Sequence, residues 1–76
     1  MTKQEVLSTI MYNLRTNDSV DFEADDESYS INRIKDNTGW FQGWEVVGSN
    51  IERMFFENKT DLRKAVSKLG KNFLDL

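Results

Sequence analysis

Carboxylates form the densest group of chemically active side chains in this 76-residue sequence. They are Asp21, Glu23, Asp25, Asp26 and Glu27. Closely spaced carboxylates suit hard divalent cations, but this stretch lacks the Asp-x-Asp-x-Asp-Gly spacing and the final Glu of a calcium loop. Two other interpretations remain: a solvated strand edge with its turn, or a protein-binding surface that presents carboxylates as a nucleic acid presents phosphates.

Two tryptophans on one predicted strand form a second candidate partner-binding site. Strand alternation sends Trp40 and Trp44 to one face, and Phe41 and Val47 to the other. If helices cover the Phe41 face, the tryptophan pair is exposed and is a candidate hot spot for a partner protein. If they cover the tryptophan face, both rings belong to the core. The sequence leaves this choice open.

Basic side chains concentrate near the C-terminal end. They are Lys59, Arg63, Lys64, Lys68 and Lys71. One interpretation is a solvent-exposed helix surface, whose cations favour the negative end of the helix dipole. The alternative is a nucleic-acid face that contacts phosphates. The net charge differs between the two regions of the chain. Residues 21–36 carry −4 and residues 59–76 carry +3, while the whole chain carries −3.

The composition excludes several kinds of catalytic site. The chain has no Cys and no His, so it can form no disulfide, no zinc site of the usual Cys and His ligands, no Cys nucleophile and no His-based triad. Ser, Thr and Lys are present without a nucleophile signature. We therefore expect a protein that is not an enzyme and holds no metal or cofactor.

The sequence shows neither a membrane-spanning stretch nor a secretion signal. No apolar run approaches the length of a transmembrane helix, and no apolar segment follows the N-terminal residues as in a signal peptide. These patterns predict a complete cytoplasmic chain of one domain, residues 1–76, without membrane contact.

Two segments have helical patterns. Thr2 and Glu5 form a capping box, and the apolar stripe behind them predicts a helix that ends near Arg15. Near the other end, Thr60 is the expected N-cap of a second helix and Gly70 its expected C′ residue.

The region between the helices has the pattern of an antiparallel meander. Predicted strands begin at Val20, Ser28, Trp40 and Ile51, and turn residues separate them. Because the first strand is short, the sheet is expected to contain three or four strands.

The predicted fold is α+β, a small antiparallel sheet with the N-terminal and C-terminal helices packed on one face, since each helix has one apolar stripe to bury. The other face is left to solvent or to a partner. The expected core residues are Val6, Leu7, Ile10, Met11, Leu14, Phe22, Ile31, Phe41, Val47, Phe55, Leu62, Val66 and Leu69. The apolar tail residues Phe73, Leu74 and Leu76 are either a frayed end, a lid on the core or a dimer seam.

In its three-strand form, this layout resembles that of double-stranded RNA-binding domains, and Arg63-Lys64-Ala65 matches part of the basic start of their last helix. The Gly-Pro-x-His-type loop of that family has no counterpart, because the chain contains neither Pro nor His. In size, acidity and element order the chain also resembles small phage-encoded inhibitors of host defence, among them anti-CRISPR proteins.

These patterns favour a protein-interaction module. The expected partner is a host protein that handles nucleic acid and has a basic surface. We expect the chain to be encoded by a phage or other mobile element and to inhibit this host protein. It would bind through the acidic stretch and the uncovered sheet face. Direct nucleic-acid binding through the basic helix, or a structural homodimer, is the alternative. Net acidity disfavours nucleic acid as the direct ligand.

Overall fold

A computed structural model describes residues 2–75, and for Asp75 the backbone alone, so Leu76 of the predicted tail lies outside the described residues. The elements are α1 (Lys3–Asn13), β1 (Ser19–Ala24), β2 (Glu27–Lys35), β3 (Phe41–Gly48), β4 (Ile51–Phe56), α2 (Lys59–Ser67) and β5 (Phe73–Asp75). The strands form one antiparallel sheet of order β4-β3-β2-β1-β5. The α+β prediction is confirmed, but the sheet has five strands rather than three or four.

The N-terminal ends of both helices are closed by side chains. As predicted, the Thr2 hydroxyl accepts a hydrogen bond from the Glu5 amide in α1. In α2 the cap is Asn58 rather than the predicted Thr60. Its side-chain oxygen accepts from the Asp61 amide at 2.9 Å, and its side-chain nitrogen donates to the Asp61 carboxylate at 2.9 Å. Neither described helix has the length and apolarity needed to cross a membrane.

One hydrophobic cluster joins both helices to the sheet. Its members are Val6, Leu7, Ile10, Met11, Leu14, Val20, Phe22, Ala24, Tyr29, Ile31, Trp44, Val46, Leu62, Val66 and Phe73. Four predicted core residues are absent from it: Phe41 and Phe55 are exposed, Val47 is half-buried, and Leu69 is half-buried and packs against the cluster. Trp44 and Val46 are buried, so the core lies on the sheet face opposite to the one that carries Val47.

The tail forms the edge strand β5. Phe73 pairs with Ala24 and Leu74 with Glu23. The Phe73 ring is buried and stacks on Phe22, with ring centroids 5.8 Å apart. The three-residue strand therefore covers one end of the core.

Candidate functional site

The acidic residues of β1 lie on the sheet face that carries no core cluster. Asp21 and Glu23 alternate with the buried Val20, Phe22 and Ala24. Leu74 is the partner of Glu23 in β5, so it shares that face, and it is 61% exposed.

A shallow depression of about 150 Å³ brings together part of the acidic stretch and the tail. Its lining residues are Glu23, Asp25, Asp26, Asn72 and Leu74. The exposed leucine therefore sits among carboxylates. We call Asp21, Glu23, Asp26 and Leu74 the acidic surface.

Asp25 has a different role from its neighbours, because it anchors the segment between α2 and β5. Its carboxylate accepts hydrogen bonds from the Asn72 amide at 2.9 Å and from the Lys71 amide at 3.1 Å. These bonds, the Asn72 contact first, lower the pKa of Asp25 below its ordinary value despite some desolvation. The Asp25 carboxylate therefore already has hydrogen-bond partners within the protein itself.

The turn between β1 and β2 explains how Asp25 reaches that segment. Asp25 and Asp26 are its two central residues, with φ of 49° and 68°. Positive φ at both positions is characteristic of a type I′ hairpin, and Asp tolerates this conformation better than most residues. The sequence predicted a turn here, but the anchoring role of Asp25 could be recognised only in three dimensions.

Gly70 packs closely against the Asp25 side chain. A Cβ at Gly70 would lie 2.9 Å from the Asp25 carboxyl carbon and 3.1 Å from the Ala24 Cβ. Helix α2 ends at Ser67 with Lys68 as its C-cap, so Gly70 is not the C′ residue that we predicted. Its lack of a side chain instead makes room for Asp25.

Two of the other acidic residues accept hydrogen bonds from serine side chains. Asp21 accepts a hydrogen bond from Ser30 Oγ at 2.5 Å, and Glu27 accepts one from Ser49 Oγ at 3.1 Å. Over residues 2–74, no carboxylates are grouped so that three of them could hold a metal ion. The arrangement offers separate charges at a surface rather than a coordination sphere.

The two tryptophans do not share a face, contrary to the sequence-based prediction. Trp40 precedes β3 and is 73% exposed, whereas Trp44 is 6% exposed. The reason is a β-bulge: Ile34 pairs with Gly43 and Lys35 with Phe41, so Gln42 is the extra residue. An extra residue in a strand moves the residues before it to the sheet face opposite to the one that simple alternation predicts. Gly43 within a strand was the sequence signal for this bulge.

The bulge places Phe41 beside Trp44. Their ring centroids are 4.6 Å apart in a T-shaped arrangement, and the Arg33 guanidinium lies 4.8 Å from the Phe41 ring. Trp44 Nε1 is buried and has no hydrogen-bond partner among the described residues. Trp44 is therefore a packing residue, and the partner-binding role predicted for the pair can rest only on Trp40.

The loop that presents Trp40 is held by Asp36. One Asp36 carboxylate oxygen accepts from the Thr38 amide at 2.9 Å, the Thr38 hydroxyl at 2.7 Å and the Trp40 amide at 3.0 Å. The Thr38 hydroxyl is the main cause of the lowered pKa of Asp36, followed by the Trp40 amide. Trp40 thus projects from an ordered turn.

The acidic and aromatic candidates lie at opposite ends of β2. The acidic turn precedes this strand and the Trp40 loop follows it, and the strand is nine residues long. At 3.3 Å per residue the two ends are roughly 25 Å apart. The structure therefore does not combine the predicted acidic and tryptophan residues into one site.

The basic residues are divided between two flanks of α2. Arg63 Nη2 donates to Gln4 Oε1 at 3.2 Å and contacts Ser8 Oγ at 3.4 Å, which directs it toward α1. Lys64 and Lys68 instead border a groove beside β4. Lys59 is exposed, and Lys71 is exposed at the Asp25 anchor. The five cations do not form one continuous stripe.

A polar row crosses the sheet face opposite to the core cluster, and the sequence did not reveal it. Ser19 donates to Asn32 at 2.8 Å, Asn32 donates to Glu45 at 3.1 Å, and Arg53 pairs with Glu45. The Arg53 contact, followed by the Asn32 contact, lowers the pKa of Glu45. Each residue lies on a different strand, so the row depends on strand register.

Comparison of the chain with protein-family models, with curated proteins and with solved structures found no match.

Proposed function

We propose that this chain is a non-enzymatic protein-interaction module of one domain, which binds a basic surface of a partner protein through its acidic surface. The observation that carries the proposal is the exposure of Leu74 in a depression shared with Glu23 and Asp26. An apolar anchor within a charged rim is the arrangement that gives an interface both affinity and steering.

The charges of the acidic surface are available to a partner. Among the described residues, Glu23 and Asp26 form no ion pair, since the ion pairs join Lys35 to Asp18 and Arg53 to Glu45. A basic partner can therefore approach these carboxylates without first breaking an internal salt bridge. Long-range attraction of this kind raises association rates and weakens with salt.

The proposal includes both helices packed on the same face of the sheet. Its support is the single cluster that contains buried residues of α1, of α2 and of alternating strand positions. On the other face, Asp21 and Leu74 are exposed and the polar row crosses the central strands. This arrangement leaves the acidic surface without a helix above it.

The narrower form of the proposal concerns the partner. A protein that handles nucleic acid has a basic groove, and closely spaced carboxylates can compete for such a groove. The chain would then act as an inhibitor of that protein, in the manner of the phage-encoded inhibitors it resembles. Direct nucleic-acid binding is less well supported, because the basic residues point to different flanks of α2.

Capture from a bacterial lysate with matched variants tests the proposal. The acidic-surface variant carries Glu23→Gln, Asp26→Asn and Leu74→Ser, and the control is Trp40→Ser at the opposite end of β2. A partner retained by wild type and by the control, lost from the acidic-surface variant and displaced by heparin supports the proposal. A partner lost only from the Trp40 variant would move the interface to the aromatic end and contradict it.

A further inference from the structure

The hydrophobic core is incompletely covered along the β4 edge of the sheet. The half-buried hydrophobic residues that pack against the core cluster are Ile51, Met54, Phe56 and Leu69. The first three belong to β4, and Leu69 follows α2 closely. Among the described residues, the half-buried margin of the core thus runs along β4 and reaches the segment just after α2.

A groove of about 430 Å³ occupies that boundary. It is lined by Met54, Phe56, Asp61, Lys64, Ala65, Lys68 and Leu69. Its floor is apolar, while Lys64 and Lys68 are exposed at its rim and form no ion pair with another described residue. The charged lining residues are two lysines and one carboxylate, Asp61, so the net charge of the groove is +1.

The strand beside the groove is an edge strand. Strand β4 stands at the end of the strand order and, within residues 2–75, pairs only with β3. An edge strand presents backbone groups that can pair with an added strand, and a pocket beside it can select the side chains of that strand.

We propose that this groove binds an extended, acidic and amphipathic segment of a partner protein, which adds to β4 as a sixth strand. Apolar side chains on one face of the segment would cover Met54, Phe56 and Leu69. Carboxylates on the same face would contact Lys64 and Lys68. This site is independent of the acidic surface, which binds a partner of opposite charge.

Charge complementarity favours an acidic segment over a symmetric dimer. Two copies joined through antiparallel β4 edges would place the lysine pairs of both copies along one seam, where like charges repel. Because Lys64 and Lys68 belong to α2 and its C-cap and line the groove, the carboxylates of the segment are expected on the face turned toward α2.

The test uses the blocked peptide Glu-Thr-Leu-Thr-Leu-Thr-Glu, in which both Leu and both Glu side chains share one strand face. The matched control peptide has Lys in place of Glu. In NMR titrations we expect the acidic peptide to shift signals of Met54, Ala65 and Leu69, and to protect alternate β4 amides from hydrogen exchange. The control peptide should bind roughly tenfold more weakly or not at all.

Protein variants then assign the contacts. Replacement of both rim lysines, Lys64→Gln with Lys68→Gln, should weaken binding roughly three- to tenfold, while Lys59→Gln on the same helix should leave it unchanged. Equal binding of both peptides, or signal shifts confined to other surfaces, would overturn the proposal. Self-association without peptide that the double variant strengthens would also overturn it, because loss of the like charges would favour pairing through this groove, and it would assign the groove to a second copy.

Discussion

Asp25 and Asn72 exchange two hydrogen bonds across 47 positions of sequence. The Asn72 amide donates to the Asp25 carboxylate at 2.9 Å, and the Asp25 amide donates to the Asn72 carbonyl oxygen at 2.9 Å. The first hairpin of the sheet is thereby joined to the segment that leads into β5. The same short acidic turn therefore serves the fold through Asp25 and presents Asp26 to solvent.

The first prediction separates those two roles. Asp25→Asn retains a residue that tolerates positive φ but removes the charge that accepts the Asn72 and Lys71 amides. We expect it to lower the melting temperature. Asp26→Asn is the matched control, because it changes the adjacent turn residue without an anchoring contact. Equal melting temperatures for the two variants would show that Asp25 does not anchor the tail.

The second prediction concerns pH. Hydrogen bonding lowers the pKa of Asp25 in the folded protein below its ordinary value of 3.8. A lowered folded pKa contributes stability that is present above the unfolded pKa and lost as pH falls through the folded pKa. The free energies of unfolding of wild type and Asp25→Asn in urea should therefore differ most at neutral pH. The difference should begin to shrink near pH 3.8 and vanish only below the folded pKa of Asp25. A stability difference between the two proteins that stays the same in acid would contradict the predicted dependence of stability on the ionisation of Asp25.

The third prediction concerns the bulge in β3. A Cβ at Gly43 would lie 2.5 Å from the Phe56 carbonyl oxygen and 2.6 Å from the Phe55 ring. Backbone cannot yield as a flexible side chain does, so Gly43→Ala should lower the free energy of unfolding by about 1–3 kcal/mol. Denaturant titration measures this change. Gly39→Ala is the comparison variant, because a Cβ there meets nothing within 4 Å but its φ of 88° is strained.

The two helices and the four-stranded meander followed from local patterns, but the fifth strand and the bulge did not. Capping at Thr2 and alternation from Val20 onward depend on neighbouring residues, so the sequence predicts them well. The face assigned to Phe41 was wrong because one extra residue at Gln42 reverses every position before it. The polar row through Asn32 and Glu45 was missed for a related reason, since its contacts depend on register between strands.

The fourth prediction uses the separation of the two tryptophans. Trp44→Ala should cost about 3–5 kcal/mol of unfolding free energy because the ring is buried. Trp40→Ala should change it by less than about 0.5 kcal/mol. Fluorescence of the single-tryptophan proteins provides the check. Trp40→Phe should leave blue-shifted emission that resists iodide, and Trp44→Phe should leave red-shifted emission that iodide quenches. The reverse pattern would show that the bulge has been placed incorrectly.

The acidic surface itself is tested most directly by the kinetics of binding to the partner captured from lysate, measured over a series of salt concentrations. We expect Glu23→Gln with Asp26→Asn to slow association and to flatten its salt dependence, because two steering charges are lost. Leu74→Ser should mainly speed dissociation, because the apolar anchor is removed. Association and dissociation rates equal to those of wild type in both variants would contradict the proposed interface.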